Sequence, residues 1–332
     1  MRPMLPQPRL GTMMAADSMN DKVEEDEVDA FCVNAAKQAI IAVGIATSGR
    51  TEILSRTVDL VAHQTRLPDL VVICPATSGD VDPASIEGLA FCSVVRTGER
   101  GLTIQRNRIL SAVGDADIVV FFDDDFFPQA DYLAEVEKIF AQNPDIVATT
   151  GRPLRDGANG PGLSVDDAMA VIRDADLKHP SSPTIATTYG TYGCNMAFRG
   201  GLIRRHALLF DENLPLYGWQ EDIDFSRQLA PFGRIVESNV LRGVHLGVKG
   251  GRTSGVRFGY SQIANPVYLI RKGTMSASFA LSLVRRNVIA NLARSIWPEP
   301  WIDRRGRLVG NFLALMDLVL RRISPRRILG LD

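Results

Sequence analysis

Residues 118–125 read IVVFFDDD, an apolar run followed directly by three aspartates. A short apolar run that ends in polar residues is typical of a buried strand. Ligands of an open parallel sheet bind at the carboxyl ends of its strands, so these carboxylates are predicted to line a ligand crevice. Adjacent carboxylates repel one another, and a divalent cation relieves this repulsion while it bridges phosphate oxygens. The segment therefore predicts an α/β fold with a nucleotide site and a Mg²⁺ or Mn²⁺ site at Asp123, Asp124 and Asp125. Acids that only cap the next helix would give the same sequence pattern.

Strand-like and helix-like patterns alternate on both sides of this segment. Four further apolar runs are predicted strands: IIAVGIA at 40–46, LVVIC at 70–74, SVV at 93–95 and IVATTG at 146–151. Stretches with helical spacing of apolar residues separate them, as at 129–142. Such alternation indicates βαβ units and a doubly wound, mostly parallel sheet with helices on both faces.

The composition is that of a globular protein, with 332 residues of which 45% are hydrophobic and 23% charged. The formal net charge of -1 gives no overall positive field that would attract nucleic acid. An acidic run at 21–29 holds six acids against one lysine, a composition that does not bury enough apolar surface to fold. We therefore expect residues 1–37 to be a disordered acidic tail, followed by an α/β domain at 38–270.

Residues 271–332 differ in charge, because they hold twelve arginines or lysines against four acids. Their apolar residues recur at helical spacing, and Trp297 and Trp301 lie among them. Basic amphipathic helices with tryptophans are typical of proteins that bind an anionic membrane surface. A helical pair that packs on the α/β domain explains the pattern equally well. The sequence predicts a basic amphipathic helical extension and leaves both roles open.

Targeting and redox features favour a cytoplasmic location. The N-terminal residues lack the uninterrupted apolar segment of a secretory signal, and no later run reaches the length of a membrane span. The four cysteines, Cys32, Cys74, Cys92 and Cys194, are scattered without a CxxC pair, as expected of reduced thiols.

The stretch RPLRDGANGPGLSVDD at 152–167 breaks the alternation of strands and helices. Its glycine, proline and aspartate content favours a long surface loop over a site rather than a further sheet element. Three stretches with candidate functional residues follow it, at 188–201, 216–229 and 243–255.

A second acidic group lies in WQEDIDFSRQL at 219–229. Phe225 and Leu229 fall on one face of a helix, which places Glu221 and Asp222 in its first turn. The helix macrodipole favours ionised carboxylates there, and an ionised carboxylate beside a cleft can act as a general base. Acids at helix starts also occur for stability alone. The pairing with the aspartate cluster favours catalysis, because metal-assisted transfer needs both a metal site and a base.

A histidine is followed closely by a glycine-rich basic loop. His245 lies in GVHLG, and KGGRTSG follows at 249–255. A neutral imidazole can complete the ligand shell of Mn²⁺. A loop that carries Lys249 and Arg252 can fold over a diphosphate and stabilise its developing charge. A lone histidine is more often structural, so its assignment depends on the metal site.

The order of these motifs resembles that of family 2 glycosyltransferases with the GT-A fold, over residues 38–260. The segments that carry the resemblance are IAVGIATSGR, LVVIC, QRNRIL, VVFFDDDFFP, YGCNMAFR, GWQEDIDFSRQL and GVHLG. The resemblance implies an inverting transfer of a sugar from a nucleotide-diphosphate donor. It matches Asp123–Asp125 with the DxD motif, Asp222 with the base of the ED motif, and His245 with a late histidine that joins the metal shell in many members.

The resemblance also implies roles for other residues. Those expected to bind the nucleotide or its diphosphate are Thr47, Arg50, Asp80, Arg106, Asp123, Asp124, Lys249 and Arg252. Those expected at the donor sugar or the acceptor are Gly193, Asn195 and Trp219. The chain departs from the family after the second strand, where CPATSGD at 74–80 replaces an earlier aspartate that holds the base. A uridine rather than a guanosine donor therefore follows from the family alone.

The implied partners are a nucleotide-diphosphate sugar and a glycan or polyprenyl-linked acceptor, used in cell-surface polysaccharide synthesis at the inner face of the plasma membrane.

Other functions use similar residues. A nucleotidyltransferase usually has a glycine-rich basic loop after the first strand, where only Ser48-Gly49-Arg50 occurs. A catalytically silent sugar-binding module would be indicated by loss of the metal carboxylates or of Asp222, and both are present. A phosphatase with an aspartate nucleophile usually shows DxDxT, which DDDFF lacks.

Overall fold

A computed structural model describes residues 38–176, 182–249 and 254–331 of the chain. The predicted acidic tail and Arg252 lie outside these ranges. The strands are β1 (Ile41–Thr47), β2 (Leu70–Pro75), β3 (Cys92–Val95), β4 (Ile118–Asp123), β5 (Phe126–Pro128), β6 (Ile146–Gly151), β7 (Arg155–Asp156), β8 (Ile185–Thr187), β9 (Asn195–Arg199), β10 (Arg234–Ser238) and β11 (Gly243–His245). The helices are α1 (Thr51–Ala62), α2 (Leu102–Leu110), α3 (Tyr132–Gln142), α4 (Val165–Asp176), α5 (Gly200–Arg205), α6 (Glu221–Leu229), α7 (Gly255–Lys272), α8 (Ala277–Arg294) and α9 (Arg304–Val319).

An eight-stranded sheet forms the centre of the protein, in the order β3-β2-β1-β4-β9-β6-β10-β8. The strands β1, β2, β3 and β4 run parallel, as do β6 and β10, whereas β9 and β8 are antiparallel to their neighbours. The five predicted strands correspond to β1 to β4 and β6. The predicted α/β fold with a mostly parallel sheet is confirmed.

The alternation of side chains along β1 explains the two-sided burial of this sheet. Ile41, Val43 and Ile45 lie in one apolar cluster with residues of α1 and α3. Ala42 lies in a second cluster with residues of α2, α5 and α6. Strands covered by helices on both faces read as continuous apolar runs, which is why their sequences were easy to recognise.

A small second sheet has the order β5-β11-β7 and begins directly after the aspartate cluster. β11 is antiparallel to β5 and parallel to β7. The expectation that 152–167 is only a loop is wrong, because Arg155–Asp156 form β7 and α4 begins at Val165. A two-residue strand shows no periodicity, and its partner β11 lies far along the chain.

The C-terminal residues are helical, as predicted. The predicted boundary at 270/271 lies inside α7, and residues 39–332 form one compact unit. Lys272, at the end of α7, pairs with the buried Asp224 of α6 at 2.7 Å. Within the described ranges, no helix is both long and apolar enough to cross a bilayer.

Candidate active site

The middle aspartate after β4 is held within the protein. Asp124 is buried, and its carboxylate accepts hydrogen bonds from the hydroxyl of Thr47 at 2.7 Å and from Arg50 at 2.8 Å. Thr47 ends β1 and Arg50 precedes α1, so Asp124 ties the carboxyl end of β1 to that of β4. Both predicted nucleotide contacts, Thr47 and Arg50, therefore lie beside the aspartate cluster.

Asp123, Asp125 and His245 place one potential ligand atom each within 4.8 Å of one another. Nε2 of His245 is 3.4 Å from Oδ1 of Asp125. Two carboxylate oxygens and one imidazole nitrogen form a donor set that suits Mn²⁺ and related divalent ions. The residues present therefore fit the predicted divalent-metal site.

Asp156 contacts His245 from the other side of the imidazole. The register of β7 and β11 pairs the two residues, and His245 Nδ1 is 2.9 Å from Asp156 Oδ1. The hydroxyl of Tyr192 donates to the other oxygen of Asp156 at 2.8 Å. A hydrogen bond at Nδ1 fixes the ring so that Nε2 faces Asp125. Sequence reasoning missed Asp156, because it lies in the stretch expected to be a loop and no local motif marks it.

The two carboxylates control the pKa of His245. Burial lowers this pKa, but hydrogen bonds with Asp125 and Asp156 outweigh burial and raise the pKa to about 10. Burial raises the pKa of Asp125, but the hydrogen bond with His245 outweighs it and lowers the pKa to about 2. These shifts favour a protonated His245 between two anions, and a divalent cation bound at Nε2 would replace the imidazolium proton there.

Arg106 of α2 joins the aspartate cluster to the start of α6. Its guanidinium donates to Asp123 at 2.9 Å and to the carbonyl of Gly193 at 2.8 Å, and it forms an ion pair with Glu221. Arg106 is only 1% exposed. It was predicted to contact the nucleotide, whereas the structure gives its guanidinium three partners inside the protein.

Asp222 lies in the first turn of α6, as predicted. The backbone N–H of Gly193 donates to Oδ2 of Asp222 at 3.0 Å, and that of Ile223 donates to Oδ1 at 2.8 Å. Burial raises the pKa of Asp222 in spite of these bonds. Arg106 also donates to the carbonyl of Gly193. Gly193 therefore positions both the guanidinium of Arg106 and the carboxylate of Asp222. The arrangement can remove a proton beside a metal-bound diphosphate.

A family model described as "Glycosyl transferase family 2" matches residues 42–203. The match spans the sheet from β1 to β9 and includes the aspartate cluster. Residues 42–203 form a family 2 glycosyltransferase domain. None of the curated proteins matches the chain.

Solved structures share the fold of the glycosyltransferase at low identity. TarS 1-349 of S. aureus is 14% identical, with 87% of this chain and 82% of that chain covered and a TM-score of 0.55. The mannosyltransferase PcManGT of Pyrobaculum calidifontis, in complex with GDP-Man and Mn²⁺, is 18% identical, with 89% and 86% covered and a TM-score of 0.52. These likenesses confirm the predicted GT-A fold.

Asp80 and Lys249 of the glycosyltransferase bond to backbone groups. Asp80 accepts hydrogen bonds from the N–H groups of Gly49 and Thr77, both at 2.8 Å, and so holds the turn after β1 against the turn after β2. Nζ of Lys249 donates to the carbonyl of Gly157 at 2.9 Å. Both residues therefore shape the chain at the carboxyl edge of the sheet.

The expected sugar-side residues of the glycosyltransferase fall in different surroundings. Asn195 is fully buried, and its side chain bonds to Thr150 at 2.7 Å and to the carbonyl of Gly151 at 2.9 Å. Trp219 is half-buried just before α6, and its ring lies edge-on to Phe258 of α7 at 5.9 Å. Asn195 thus supports β6 and β9 from inside, whereas Trp219 lies next to the candidate base.

Proposed function

We propose that the enzyme transfers a sugar with inversion from a nucleotide-diphosphate donor, a UDP-sugar by family, to an acceptor hydroxyl. The observation that carries the proposal is that one residue connects the candidate metal ligands to the candidate base. We call Asp123, Asp125 and His245 the metal set; Arg106 contacts both Asp123 of this set and Glu221, the neighbour of Asp222. A metal-bound diphosphate and a general base are thereby supported at one edge of the sheet.

The donor end is assigned to the ligand set and to the residues around it. Asp123, Asp125 and His245 would hold the divalent ion. When bound, such an ion neutralises the charge that develops on a diphosphate leaving group. Lys249 and Arg252 are proposed to steady the diphosphate. Asp80 holds the two turns against which the nucleotide would lie, together with Thr47 and Arg50.

The acceptor end is assigned to Asp222. Its carboxylate takes the proton of an acceptor hydroxyl while that oxygen attacks the anomeric carbon and the bond to the diphosphate breaks. One displacement inverts the anomeric configuration. The N–H groups of Gly193 and Ile223 fix the carboxylate, and its raised pKa makes it a stronger base than an exposed aspartate. Trp219 is proposed to line the acceptor side.

The ligands of two structural neighbours support the donor class. TarS 1-349 was solved with UDP-GlcNAc, and PcManGT with GDP-Man and Mn²⁺. We extend a nucleotide-sugar donor to this enzyme, with a glycan or polyprenyl-linked acceptor in cell-surface polysaccharide synthesis at the cytoplasmic face of the plasma membrane. A polyprenyl-linked acceptor lies in a bilayer, so this assignment requires a lipid-facing surface on the protein.

A panel of UDP-, GDP-, TDP- and CDP-sugars, with and without Mn²⁺, tests the donor assignment by thermal shift. A ligand at a hundredfold excess over its Kd raises stability by about 2.7 kcal/mol. We expect a Mn²⁺-dependent shift with a UDP-sugar, and the same shift in Asp222→Asn as a binding-competent control. NMR of the product should show the anomeric configuration opposite to that of the donor. Retention of configuration, or a panel without any Mn²⁺-dependent shift, would contradict the proposal.

A further inference from the structure

The three C-terminal helices form a closely packed unit. α7 and α9 cross at glycines: a Cβ atom on Gly259 would lie 2.1 Å from the carbonyl oxygen of Arg307, and one on Gly310 would lie 2.1 Å from that of Val256. Such distances are possible only without side chains, so the two backbones touch. The crossing fixes which face of α9 is turned inward.

A buried polar network joins α8 to this crossing. The side-chain amide of Asn291 donates to Gln262 of α7 at 2.7 Å and to Asn311 of α9 at 2.9 Å. Asn311 in turn donates to the carbonyl of Gly259 at 2.7 Å. Asn291 and Asn311 are almost fully buried. Satisfied buried networks of this kind specify one arrangement, so the inward face of α8 is fixed as well.

The opposite faces of α8 and α9 are apolar and exposed. On α8 and just beyond it, Leu281, Ile289, Leu292 and Ile296 recur at intervals of three, four or eight residues. On α9, the exposed apolar residues are Val309, Phe312, Met316 and Val319. We call these eight residues the outer rows. Exposed apolar side chains on soluble proteins are usually scattered, and grouping of this kind marks an interaction surface.

Positive charge surrounds the outer rows. The acids of this region that the structure describes are already engaged: Glu299 pairs with Arg294 and Arg304, Asp317 pairs with Arg322, and Asp303 caps α9. The exposed arginines for which the described residues provide no ion pair are Arg285, Arg286, Arg305, Arg321 and Arg326. The exposed charge that α8, α9 and the segments next to them carry is therefore mainly positive.

Trp297 lies at the tip of the connection between the two helices. It is 84% exposed, the highest exposure among the large apolar residues within the described ranges. Indole rings are favoured at the boundary between lipid headgroups and acyl chains. An exposed tryptophan between two apolar rows is expected of a surface that meets this boundary.

We propose that the outer rows, with Trp297, bind the surface of an anionic lipid bilayer. The occupant follows from the combination of features: nucleic acid would use the arginines but not the apolar rows, and a second copy would bring the same positive charge against itself. A bilayer with anionic headgroups satisfies both, since apolar residues enter the acyl boundary and arginines contact the headgroups. The inference deepens the proposed function, because it supplies the surface that a lipid-linked acceptor requires.

A chain of contacts connects α9 and α7 to Trp219, near the candidate base. The guanidinium of Arg307 in α9 lies 4.3 Å from the ring centre of Phe258, and Phe258 contacts Trp219. The amide of Asn265 in α7 also donates to the carbonyl of Trp219 at 2.7 Å. Asp222, the candidate base, follows Trp219 by three residues.

The test uses the full chain and large unilamellar vesicles, either of pure phosphatidylcholine or of phosphatidylcholine mixed with phosphatidylglycerol. The wild-type protein should sediment with the anionic vesicles at low salt and be released at high salt. Each arginine near an anionic surface strengthens binding about fivefold, so the double variant Arg285→Gln, Arg286→Gln should bind about 25-fold more weakly. The matched control is Arg56→Gln, Arg205→Gln, two exposed arginines outside the C-terminal helices, which should bind like the wild type.

A second pair of variants tests the apolar rows. Leu292→Ser and Phe312→Ser should each weaken vesicle binding by about tenfold or more, because each removes one inserted side chain. Both side chains are exposed, so the fold is retained, which thermal unfolding will verify. Vesicles should also shift the tryptophan emission to the blue, and Trp297→Phe should remove most of that shift.

The surface and the proposed function fail in different ways. Three outcomes would overturn the proposal of a lipid-binding surface. They are equal vesicle binding by all variants, no sedimentation with vesicles at low salt, and a dimer in solution that Leu292→Ser dissociates. Each of these outcomes leaves Mn²⁺-dependent donor binding in solution untouched. Vesicle binding together with a complete absence of donor binding would instead support the surface and reject the proposed function.

Discussion

Arg106 and Glu221 form an ion pair in which both side chains are almost fully buried. The same guanidinium also pairs with Asp123, which ends β4 and belongs to the metal set. Three acids, Asp123, Glu221 and Asp222, therefore surround one cation. The positive charge of Arg106 offsets part of the negative charge of these acids. The same residue thereby supports both the metal set and the candidate base.

Removal of Arg106 should destabilise the protein strongly. Arg106→Met leaves the buried carboxylates without their cation, and breaking a buried ion pair from one side costs about 3–5 kcal/mol. Chemical denaturation should show this loss in the free energy of unfolding. The control is Arg108→Met on the same helix, whose side chain is exposed and which should cost little. A loss below about 1 kcal/mol for Arg106→Met would contradict the bridging role.

Glu221 should make the stability of the protein depend on pH. Burial raises its pKa above the ordinary 4.5 in spite of the ion pair with Arg106, with Asp222 adding to the rise. In the pH range between the ordinary and the raised pKa the folded state keeps more of this proton than the unfolded state does, so the free energy of unfolding should fall as pH rises. Glu221→Gln mimics the protonated form and should remove this contribution. Denaturation at several pH values measures it, with the exposed Glu52→Gln as the control that keeps the wild-type slope.

Much of the fold was predictable from local sequence. Continuous apolar runs predicted β1, β2, β4 and β6, because strands buried on both faces leave a strong signal. The partly exposed edge strand β3 was predicted from the short run SVV. The position of Asp123 and Asp125 followed from one run, since acids directly after a buried strand must emerge at its carboxyl end. The first turn of α6 followed from the spacing of Phe225 and Leu229.

The partners of these residues were not predictable in the same way. Asp156 reaches His245 through the pairing of β7 with β11, and the pairing of a two-residue strand leaves no pattern in the sequence. Arg106 was assigned to the nucleotide because its motif resembles the family's, yet its partners come from three distant segments. Contacts between residues far apart in sequence depend on the complete topology, which local periodicity does not contain.

The two neighbouring aspartates Asp124 and Asp125 should respond differently to substitution. Asp125→Ala removes a ligand and should abolish Mn²⁺-dependent nucleotide binding and transfer; it should also lower stability, because Asp125 is buried and pairs with His245. Asp124→Asn should instead weaken the hydrogen bonds to Thr47 and Arg50, and so lower the stability by about 1–3 kcal/mol. Calorimetry with Mn²⁺ and UDP, together with denaturation, separates the effects. Full transfer activity of Asp125→Ala in EDTA would disprove the metal assignment.

Asp156 should tune metal affinity without being a ligand. Residues that orient a metal-binding histidine typically contribute about 10–100-fold in affinity. Asp156→Asn should therefore weaken Mn²⁺ binding by this factor, measured by electron paramagnetic resonance of the free ion. Tyr192→Phe removes only the bond to Asp156 and should have a smaller effect. The exposed Asp166→Asn is the control, and an affinity equal to that of the wild type in Asp156→Asn would exclude the positioning role.

Asp222 should determine the rate and its dependence on pH, but not donor binding. Asp222→Asn keeps the shape of the side chain and should lower turnover by about 10²–10⁴-fold, the usual effect of a lost general base. The base acts as a carboxylate, and burial raises its pKa, so kcat/KM of the wild type should fall on the acid side at a pH above the ordinary aspartate value of 3.8. The residual activity of Asp222→Asn should lack this acid limb. Donor affinity measured by thermal shift should be unchanged, because we assign donor binding to the metal set and not to Asp222. If Asp222→Asn instead loses donor binding while its turnover at saturation is retained, Asp222 belongs to the donor site and another residue must accept the proton.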